Sequence, residues 1–410
     1  MNKTILILGA GEGQLPLIKR ANDAGWRTIV ASPQGDYPGF AVADECRFID
    51  VTDKEGVLDL ARKDGVSAVA TDQTDVSVST VQFVAEEMDL PHIDCVEIEN
   101  FCDKSLMREV CSKQGIATIP YCITNELDEV ESFYNSLSDN AAIIKPVDSQ
   151  GSRGVRKVHD LGDVKKAFSE AMSFSRSGRI IIESFIEGKE VEVDSVVKDG
   201  KVICTLIGDV CNFNVKDAFS AYERLYPTRK SRFVQDVISE YNEEVLKALG
   251  LITGWTHGEY MVTDKNEVYL IEVGARGGGN FIGSDILQTM IGVGTDEMAF
   301  RTALGDLGFY DRVGIRDKYC AYKSFYLPAG VVRSCEIGND LLNSPFVLNH
   351  NLDAIKIGEI TRGCLNKTTR YTVVIEADNR LQLEERLSSV EKHIRIEVET
   401  RNGLKGIIWN

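Results

Sequence analysis

The chain has 410 residues, of which 43% are hydrophobic and 27% are charged, so it is neither a disordered nor a fibrous protein. At about 100 to 200 residues per domain, this length predicts two to four domains, and we expect three. Lysine and arginine number 46 against 63 aspartates and glutamates, which gives a net charge of -17. Because binding to a nucleic-acid backbone requires a cationic surface, we expect no nucleic acid as a partner.

The amino-terminal segment contains a short apolar run, Ile5 to Leu8, followed by glycines and by no cleavage signature. This pattern predicts a strand rather than a signal peptide. No stretch approaches the about 18 consecutive apolar residues of a membrane span, so we expect no membrane partner. Scattered cysteines without a C-x-x-C pair indicate reduced thiols, a cytoplasmic location and no zinc site. These cysteines are residues 46, 95, 102, 111, 122, 204, 211, 320, 335 and 364.

Strand-like and helix-like segments alternate over the first hundred residues. Strands are predicted at 4 to 8, 27 to 31, 46 to 51 and 67 to 71, and helices after residue 14, at 54 to 63 and at 76 to 88. Such alternation is typical of right-handed crossovers in a parallel sheet. We therefore predict a Rossmann-like lobe over residues 1–100.

Two loops fall at the carboxyl edge of that sheet. The turn from Gly9 to Gln14 lacks the third glycine of a dinucleotide fingerprint, and Ser32 and Pro33 stand where an acidic ribose partner is expected. The turn is therefore a tight turn, a substrate-binding turn with exposed amides or, least favoured, a dinucleotide site. The carboxylates of the loop at 71–75 either meet a cationic group of a substrate or cap the next helix.

The next segment predicts a loop between antiparallel strands. A helix begins at Cys102 or Asp103 and ends at Gly115. A buried strand that ends at Pro146 then leads into a loop at 149–155 and into another strand. Exposed amides and hydroxyls in such a loop suit a lid over a polyphosphate, although a plain surface hairpin has the same pattern.

A second hairpin is predicted around Asp199 and Gly200, a dipeptide typical of two-residue turns. Because side chains alternate along a strand, Glu190, Glu192 and Asp194 share one face. This acidic face is either solvated or holds a hydroxyl group of a ligand.

A third hairpin carries the most informative pair of residues. Its turn is centred on residues 265 and 266, and Glu259 and Glu272 are equidistant from it, so they should lie opposite each other. Their Cβ atoms would be about 4.5 to 5.5 Å apart, where like charges destabilise a sheet. A divalent cation between them would remove this repulsion, whereas a solvent-exposed acidic pair is the alternative. Oxygen ligands favour Mg²⁺ or Mn²⁺ over zinc.

The same register assigns the other side chains of this hairpin to faces. Met261 and Leu270 should also pair and lie on the glutamate face as an apolar floor. The opposite face should carry Tyr260, Val262, Ile271 and Val273 and contact the core. Arg276 and three glycines follow, which suits a guanidinium that holds a carboxylate or a phosphate.

Taken in order, these segments resemble an ATP-grasp enzyme of the carboxylate-amine ligase type, a group with L-amino acid ligases, carbamoyl-phosphate-synthase-like proteins and phosphoribosylglycinamide-processing enzymes as members. The resemblance rests on DK at 103–104, KP at 145–146, SQGSRGV at 149–155, ESFIEGKEVEVD at 183–194, HGEY at 257–260 and IEVGARGGG at 271–279. It implies an α/β fold with a Rossmann-like pre-ATP-grasp lobe at 1–100. A two-lobed ATP-grasp α+β domain would follow at 101–316, with its small nucleotide lobe at about 120–190, and then a small α+β subdomain at 317–410.

The resemblance also implies roles for individual residues. ATP phosphates would be contacted by Lys104, by Lys145 and by the lid residues Ser149, Gly151 and Ser152. The adenine edge would be read by Glu183 and the backbone of Ile186, and the ribose by Glu190. Glu259 and Glu272 would bind the metal, and Arg276, Arg153 and Lys145 would stabilise the reacting groups. One departure is Gly274, where many relatives have an asparagine. Asn280 or water would then complete the metal shell, so one Mg²⁺ is expected and the presence of a second stays open.

The implied reaction joins a small-molecule carboxylate and an amine into an amide or peptide bond through an acyl phosphate, with release of ADP and phosphate. Two alternatives remain open: a purine-pathway-like enzyme that acts on a ribosyl phosphate, and an ATP-binding regulator without turnover. A homodimer is common among such enzymes. Lys323 in the carboxyl-terminal segment is expected to be structural rather than catalytic.

Overall fold

The computed structural model describes residues 3–214, 220–363 and 369–410, so Cys364 lies outside the described residues. Its helices are α1 Leu15–Asp23, α2 Lys54–Asp64, α3 Val78–Glu87, α4 Lys104–Lys113, α5 Leu127–Ser136, α6 Leu161–Phe174, α7 Arg232–Leu249, α8 Leu287–Ile291, α9 Thr295–Ala303, α10 Asn339–Leu342 and α11 Arg380–His393. Its strands are β1 Thr4–Leu8, β2 Arg27–Ser32, β3 Glu45–Phe48, β4 Ala68–Ala70, β5 Asp94–Cys95, β6 Tyr121–Thr124, β7 Ala142–Pro146, β8 Arg156–Val158, β9 Ile180–Ser184, β10 Lys189–Lys198, β11 Lys201–Asn212, β12 Ala221–Tyr226, β13 Leu251–Val262, β14 Val268–Gly274, β15 Tyr319–Phe325, β16 Gly330–Ile337, β17 Val347–His350, β18 Ile360–Thr361, β19 Tyr371–Ala377, β20 Ile394–Thr400 and β21 Gly403–Lys405.

The amino-terminal lobe is a parallel sheet with the order β3-β2-β1-β4, as the alternating sequence pattern predicts. Strand β1 is buried along its whole length, which agrees with its uninterrupted apolar sequence. The predicted third strand is too long, because it ends at Phe48 rather than at residue 51. The carboxylate of Asp50 accepts hydrogen bonds from the amide and hydroxyl of Thr52, and this local turn directs the chain towards α2.

The nucleotide-lobe segment forms its own antiparallel sheet with the order β6-β9-β7-β8. Strands β7 and β8 pair with Ala142 opposite Val158, so the predicted antiparallel strands around the loop at 149–155 are confirmed. Helices α5 and α6 pack on this sheet through a compact apolar core that includes Val130, Val164 and Ala171. The lobe thus presents the loop at 149–155 from one end of a rigid sheet.

The largest sheet contains the hairpin of β13 and β14 that carries Glu259 and Glu272, here called the acidic hairpin. Its strands run in the order β14-β13-β10-β11-β12-β15-β19-β17, with β5 paired to β13. One face packs on α7, where Ile238 and Leu246 share a core with Val191 and Tyr260. Strands β15 and β19 continue the same sheet, and β18-β16-β20-β21 form a separate small sheet. The division into domains at residues 100 and 316 remains a prediction. Strands β15, β17 and β19 lie after residue 316 but belong to the same sheet as the acidic hairpin, so this sheet crosses the predicted boundary.

Asp72 joins the amino-terminal lobe to the loop that follows β14. Its carboxylate is fully buried and accepts hydrogen bonds from the Gly277 amide (3.0 Å) and the Thr295 hydroxyl (2.7 Å). Burial, together with the nearby Asp296 carboxylate, raises the pKa of Asp72 from its ordinary value of 3.8 to about 6. The buried position of Asp72 between the amino-terminal lobe and the loop after β14 is therefore most stable when Asp72 is protonated.

This gives a prediction about stability and pH. Because the folded-state pKa lies above the unfolded value, Asp72 contributes stability at low pH that is lost as the pH rises through about 6. The difference in free energy of unfolding between Asp72→Asn and the wild type should shift in favour of the variant by about 2 kcal/mol between about pH 4.5 and about pH 7.5. Urea denaturation of both proteins at the two pH values measures this change. A difference independent of pH would contradict the assigned pKa.

Candidate active site

Three glutamates lie in a row across three neighbouring strands of the large sheet. Glu192 on β10 is opposite Glu259 on β13, and Glu259 is opposite Glu272 on β14. The predicted pairing of Glu259 with Glu272 is confirmed. Sequence reasoning missed the third member, although the alternation on β10 put Glu192 on the same face as Glu190, because the pairing of β10 with β13 joins segments far apart in the chain.

The predicted register is wrong between the turn and Glu272. Tyr260 pairs with Leu270, and Met261 pairs with Tyr269, so Ile271 is an extra residue on β14. Such a bulge changes the face on which the side chains on its turn side, residues 268–270, lie. Leu270 is consequently buried in the core rather than beside the glutamates. Ile271, predicted to contact the core, lines the large cavity together with Met261.

Cations flank the glutamate row at both ends. The Lys104 Nζ lies 2.7 Å from Glu272 Oε2. Burial alone would lower the pKa of Lys104, but the Glu272 carboxylate outweighs this effect and raises it. At the other end, the Arg224 guanidinium contacts Glu192 Oε1 and places Nη2 4.0 Å from Glu259 Oε1. The predicted repulsion between carboxylates is therefore offset by side chains of the protein as well.

A second buried ion cluster lies beside the row. Glu183 binds two cations: Arg108 Nε at 2.7 Å and Lys145 Nζ at 2.6 Å. Burial would raise the pKa of Glu183, but these two cations lower it. Burial, with Arg108 and Lys104 nearby, lowers the pKa of Lys145. Sequence reasoning missed Arg108, and its position four residues after Lys104, on the same face of α4, is the signal that could have indicated it.

A cavity of about 740 Å³ is lined by Glu259 and Glu272 of the glutamate row, and its volume is within the range of small-molecule and cofactor sites. The structure brings ten of the twelve predicted site residues to its walls: Lys104, Lys145, Ser149, Gly151, Ser152, Glu183, Ile186, Glu190, Glu259 and Glu272. Their individual roles remain predictions. Glu190 also accepts a hydrogen bond from Asn212 (2.7 Å), which lines the same cavity.

The loop at 149–155 lies between the lobes. Gly151 and Ser152 both have positive φ angles, 71° and 60°, which suit a tight turn with exposed amides. The Lys104 Nζ donates to the Ser149 carbonyl (2.9 Å), and the Asp75 amide donates to Gln150 Oε1 (3.0 Å). The loop is thus anchored to α4 and to the amino-terminal lobe at once.

The two remaining predicted residues do not line the large cavity. Arg276 forms a bidentate ion pair with Asp75, with Nε and Nη2 at 2.8 and 2.9 Å. Burial opposes the charge, but Asp75 raises the pKa of Arg276. Arg153 is exposed, and its Nε donates to the Gln150 carbonyl (3.2 Å). Asp75 of the loop at 71–75 therefore binds an arginine of the chain itself rather than capping α3.

The turn from Gly9 to Gln14 is filled by its own side chain. The Gly11 amide donates to Gln14 Oε1 (3.0 Å), and Gln14 Nε2 donates to the Asp72 carbonyl (2.5 Å). A phosphate on the Gly11 amide would have to displace Gln14. This arrangement favours the tight-turn interpretation over a substrate-binding turn.

The paired glutamates fit a hard divalent cation. Glu259 and Glu272 present carboxylate oxygens to the cavity from adjacent strands, which is the ligand type that Mg²⁺ and Mn²⁺ prefer. Position 274 adds no ligand: a Cβ atom on Gly274 would lie 2.4 Å from Asp75 Oδ1. An asparagine there would require the Asp75 side chain, which is bound to Arg276, to move. The metal site would therefore rest on the two glutamates of the hairpin.

Lys323 lies outside the large cavity, paired with Glu223 (3.0 Å) and Glu391 (2.7 Å). These ion pairs agree with the expected structural role. The nine cysteines in the described ranges are all free thiols.

The Arg108 cluster gives a prediction about stability. Arg108→Met leaves the Glu183 carboxylate buried with one cation fewer and the Ile271 carbonyl without its donor, so the free energy of unfolding should fall by about 3 to 5 kcal/mol. The control is Lys113→Met on the same helix, where the partner Glu109 is 3.5 Å away and the lysine is 73% exposed. This exposed pair should cost less than about 1 kcal/mol. Equal losses in the two variants, measured by chemical denaturation, would contradict the importance of the buried cluster.

Comparison with known proteins supports the assignment of the fold. A family model described as the ATP-grasp domain matches residues 138–285. Dapdiamide A synthase from Enterobacter agglomerans is 28% identical over 179 residues, 42% of either chain. A formate-dependent phosphoribosylglycinamide formyltransferase from Rhodococcus jostii is 26% identical over 288 residues, 66% of this chain and 68% of the relative. The chain spans about half the length of the D-alanine–D-alanine ligases that it also matches.

Solved structures resemble the whole chain. The L-amino acid ligase from Bacillus licheniformis superposes with a TM-score of 0.79 at 19% identity, over 97% of this chain and 99% of its own. A phosphoribosylglycinamide synthetase from Anaerococcus prevotii gives a TM-score of 0.75 at 20% identity with the same coverage. Residues 138–285 therefore match the ATP-grasp domain, and the chain as a whole has the mixed α/β fold of these solved structures.

Proposed function

We propose that the chain is an ATP-dependent carboxylate-amine ligase. In this reaction a carboxylate oxygen of the first substrate attacks the γ-phosphorus of ATP, giving an acyl phosphate and ADP. The nitrogen of an amine then attacks the acyl carbon, phosphate leaves with the C–O bond electrons, and the ammonium proton is lost to give an amide. The observation that carries the proposal is the pair Glu259 and Glu272 in the wall of a nucleotide-sized cavity that is also lined by Lys104 and Lys145.

The lysines and the loop at 149–155 would hold the polyphosphate. The half-buried Lys104 and the buried Lys145 both reach the cavity, and each is oriented by a glutamate, at 2.7 and 2.6 Å respectively. The backbone turn at Gly151 and Ser152 offers amides to phosphate oxygens. Positioning and neutralisation of charge are the main contributions that a protein makes to phosphoryl transfer. The Ile186 backbone and Glu190 would contact the base and the ribose at the other end of the cavity.

Glu259 and Glu272 would hold Mg²⁺ or Mn²⁺, which supplies neutralisation of the phosphate charge when bound. Arg276 is proposed to receive the substrate carboxylate. Its Nε and Nη2 are bound by the Asp75 carboxylate, so a substrate carboxylate would have to displace Asp75 to bind in the same bidentate geometry. Arg153 is exposed on the loop, and a contact with the phosphates would require the loop to move.

A second candidate is an enzyme that acts on a ribosyl phosphate. The matches to the phosphoribosylglycinamide formyltransferase and synthetase favour it. The Gln14 side chain within the glycine-rich turn counts against it, because this turn is the anion-binding position of a Rossmann-like lobe. The third candidate, an ATP-binding regulator, predicts ATP binding without substrate-dependent hydrolysis.

The partners proposed are a small-molecule acid and an amine, with a homodimer as one assembly. No helix in the described parts of the chain is both long and apolar enough to cross a membrane.

The proposal is tested by screening carboxylic acids with amines for release of ADP and phosphate and by identifying products by mass spectrometry. An amide that forms only when acid, amine and ATP are all present is expected. A modified ribosyl phosphate as product would support the second candidate instead. ATP binding without turnover for any acid and amine would support the regulator.

The glutamate pair gives a matched test within one hairpin. Glu272→Gln should lower kcat by at least about 100-fold, because the carboxylate that would hold the cation loses its charge. The control is Glu267→Gln in the exposed turn of the same hairpin, which should change kcat by no more than about twofold. ATP affinity measured without metal should change little in the control variant. An active Glu272→Gln enzyme with unchanged Mg²⁺ dependence would refute the assigned metal site.

A further inference from the structure

One edge of the Arg276 guanidinium is bound by a carboxylate of the chain itself. Its Nε and Nη2 donate to Asp75 Oδ1 and Oδ2, at 2.8 and 2.9 Å. Its Nη1 donates to the Gly277 carbonyl (3.1 Å). A substrate carboxylate favours the same bidentate geometry, with two parallel N–H···O bonds. Asp75 therefore holds the edge of Arg276 on which a substrate carboxylate would bind.

The space around this ion pair is too small for a second carboxylate. Arg276 and Asp75 line a cavity of about 20 Å³, with Lys104 and Glu272 also in its wall. Such a volume holds about one or two water molecules. The side chains of Arg276 and Asp75 are only 12% and 22% exposed. A carboxylate from solution would therefore reach Nε and Nη2 only after Asp75 has moved away.

The glycine at position 274 allows Asp75 to reach Arg276. Gly274 is the last residue of β14, and a Cβ atom there would lie 2.4 Å from Asp75 Oδ1. Any larger residue at this position would push the carboxylate off its present place. The sequence departure at Gly274 and the ion pair between Asp75 and Arg276 are thus one structural feature.

The backbone of Asp75 is held separately from its side chain. Its amide donates to Gln150 Oε1 (3.0 Å), and the Thr74 hydroxyl donates to the same atom (3.3 Å). Rotation of the Asp75 side chain would therefore release Arg276 while the loop at 71–75 stays in place. A carboxylate tethered in this way competes at a high effective concentration, because it cannot diffuse away.

We propose that Asp75 is an internal competitor of the carboxylate substrate at Arg276, so that the acid binds by displacing it. This inference rests on the proposed function, which assigns the substrate carboxylate to Arg276. The apparent affinity for the acid is then reduced by the small fraction of chains in which Arg276 is free. An acid that makes further contacts in the site displaces Asp75 more readily than a small anion does, so the ion pair also favours the fitting substrate.

The test uses acetate as the probe and requires no turnover. Phenylglyoxal modifies accessible arginines, and peptide mass spectrometry gives its rate at Arg276. The acetate concentration that halves this rate measures the affinity of the site for a carboxylate. In Asp75→Asn, which keeps the shape of the side chain but removes its charge, this concentration should fall at least about tenfold relative to the wild type.

The control is Asp64→Asn in the same lobe. Asp64 also binds an arginine, with its Oδ2 2.9 Å from Arg47 Nε, but it lines neither the large cavity nor the small one. This variant should have the wild-type acetate concentration. If Asp75 only positioned Arg276, Asp75→Asn would bind acetate more weakly. A half-protecting concentration at or above the wild-type value, or no protection in any of the proteins, would overturn the inference.

A crystal structure of the wild type soaked in concentrated sodium acetate decides the question if Asp75→Asn does not fold. Acetate should occupy Nε and Nη2 of Arg276, with the Asp75 side chain turned away, and an intact pair of Asp75 with Arg276 would overturn the inference. If acetate behaves as expected but no acid and amine give an amide, the proposed function alone fails. If an amide forms but Asp75→Asn does not bind acetate more tightly, this inference alone fails.

Discussion

The structure depends on one electrostatic constraint, which is that Glu192, Glu259 and Glu272 lie directly opposite one another on adjacent strands. Carboxylates in such positions are only about 5 Å apart and repel, and the low effective dielectric of a cleft strengthens the repulsion. The chain places a cation at each end of the row, Lys104 from α4 and Arg224 from β12. The outer carboxylates thus have partners, and a divalent cation between Glu259 and Glu272 would complete the neutralisation.

The amino-terminal lobe takes part in the site through its loops. Asp75 binds Arg276, and its backbone amide binds Gln150 of the loop at 149–155. Asp72 holds the Gly277 amide three residues after Gly274, and its carbonyl accepts from Gln14. The groups proposed to receive the carboxylate substrate are therefore connected to those proposed to receive ATP, which suits a reaction in which the two must meet.

The sequence predicts what is local. The alternation of residues 3 to 100 specifies the parallel lobe. The predicted pairing of Glu259 with Glu272 is present, but only because the bulge at Ile271 shifts the register by one residue between the turn and this pair. The bulge at Ile271 is not readable from a periodic pattern, because one inserted residue moves Leu270 into the core without changing the composition. Arg108, Arg224 and the pair formed by Asp75 with Arg276 also escape prediction, since their partners come from distant segments and depend on the packing of whole lobes.

The central claim is that the glutamate row was built to hold a cation at one defined position. The most direct measurement is anomalous scattering from crystals soaked with Mn²⁺ and a non-hydrolysable ATP analogue. The account predicts one strong anomalous peak bridged by the carboxylates of Glu259 and Glu272, with the Arg224 guanidinium still beside Glu192. Mn²⁺ coordinated by Glu192 and His257, with Arg224 displaced, would contradict it.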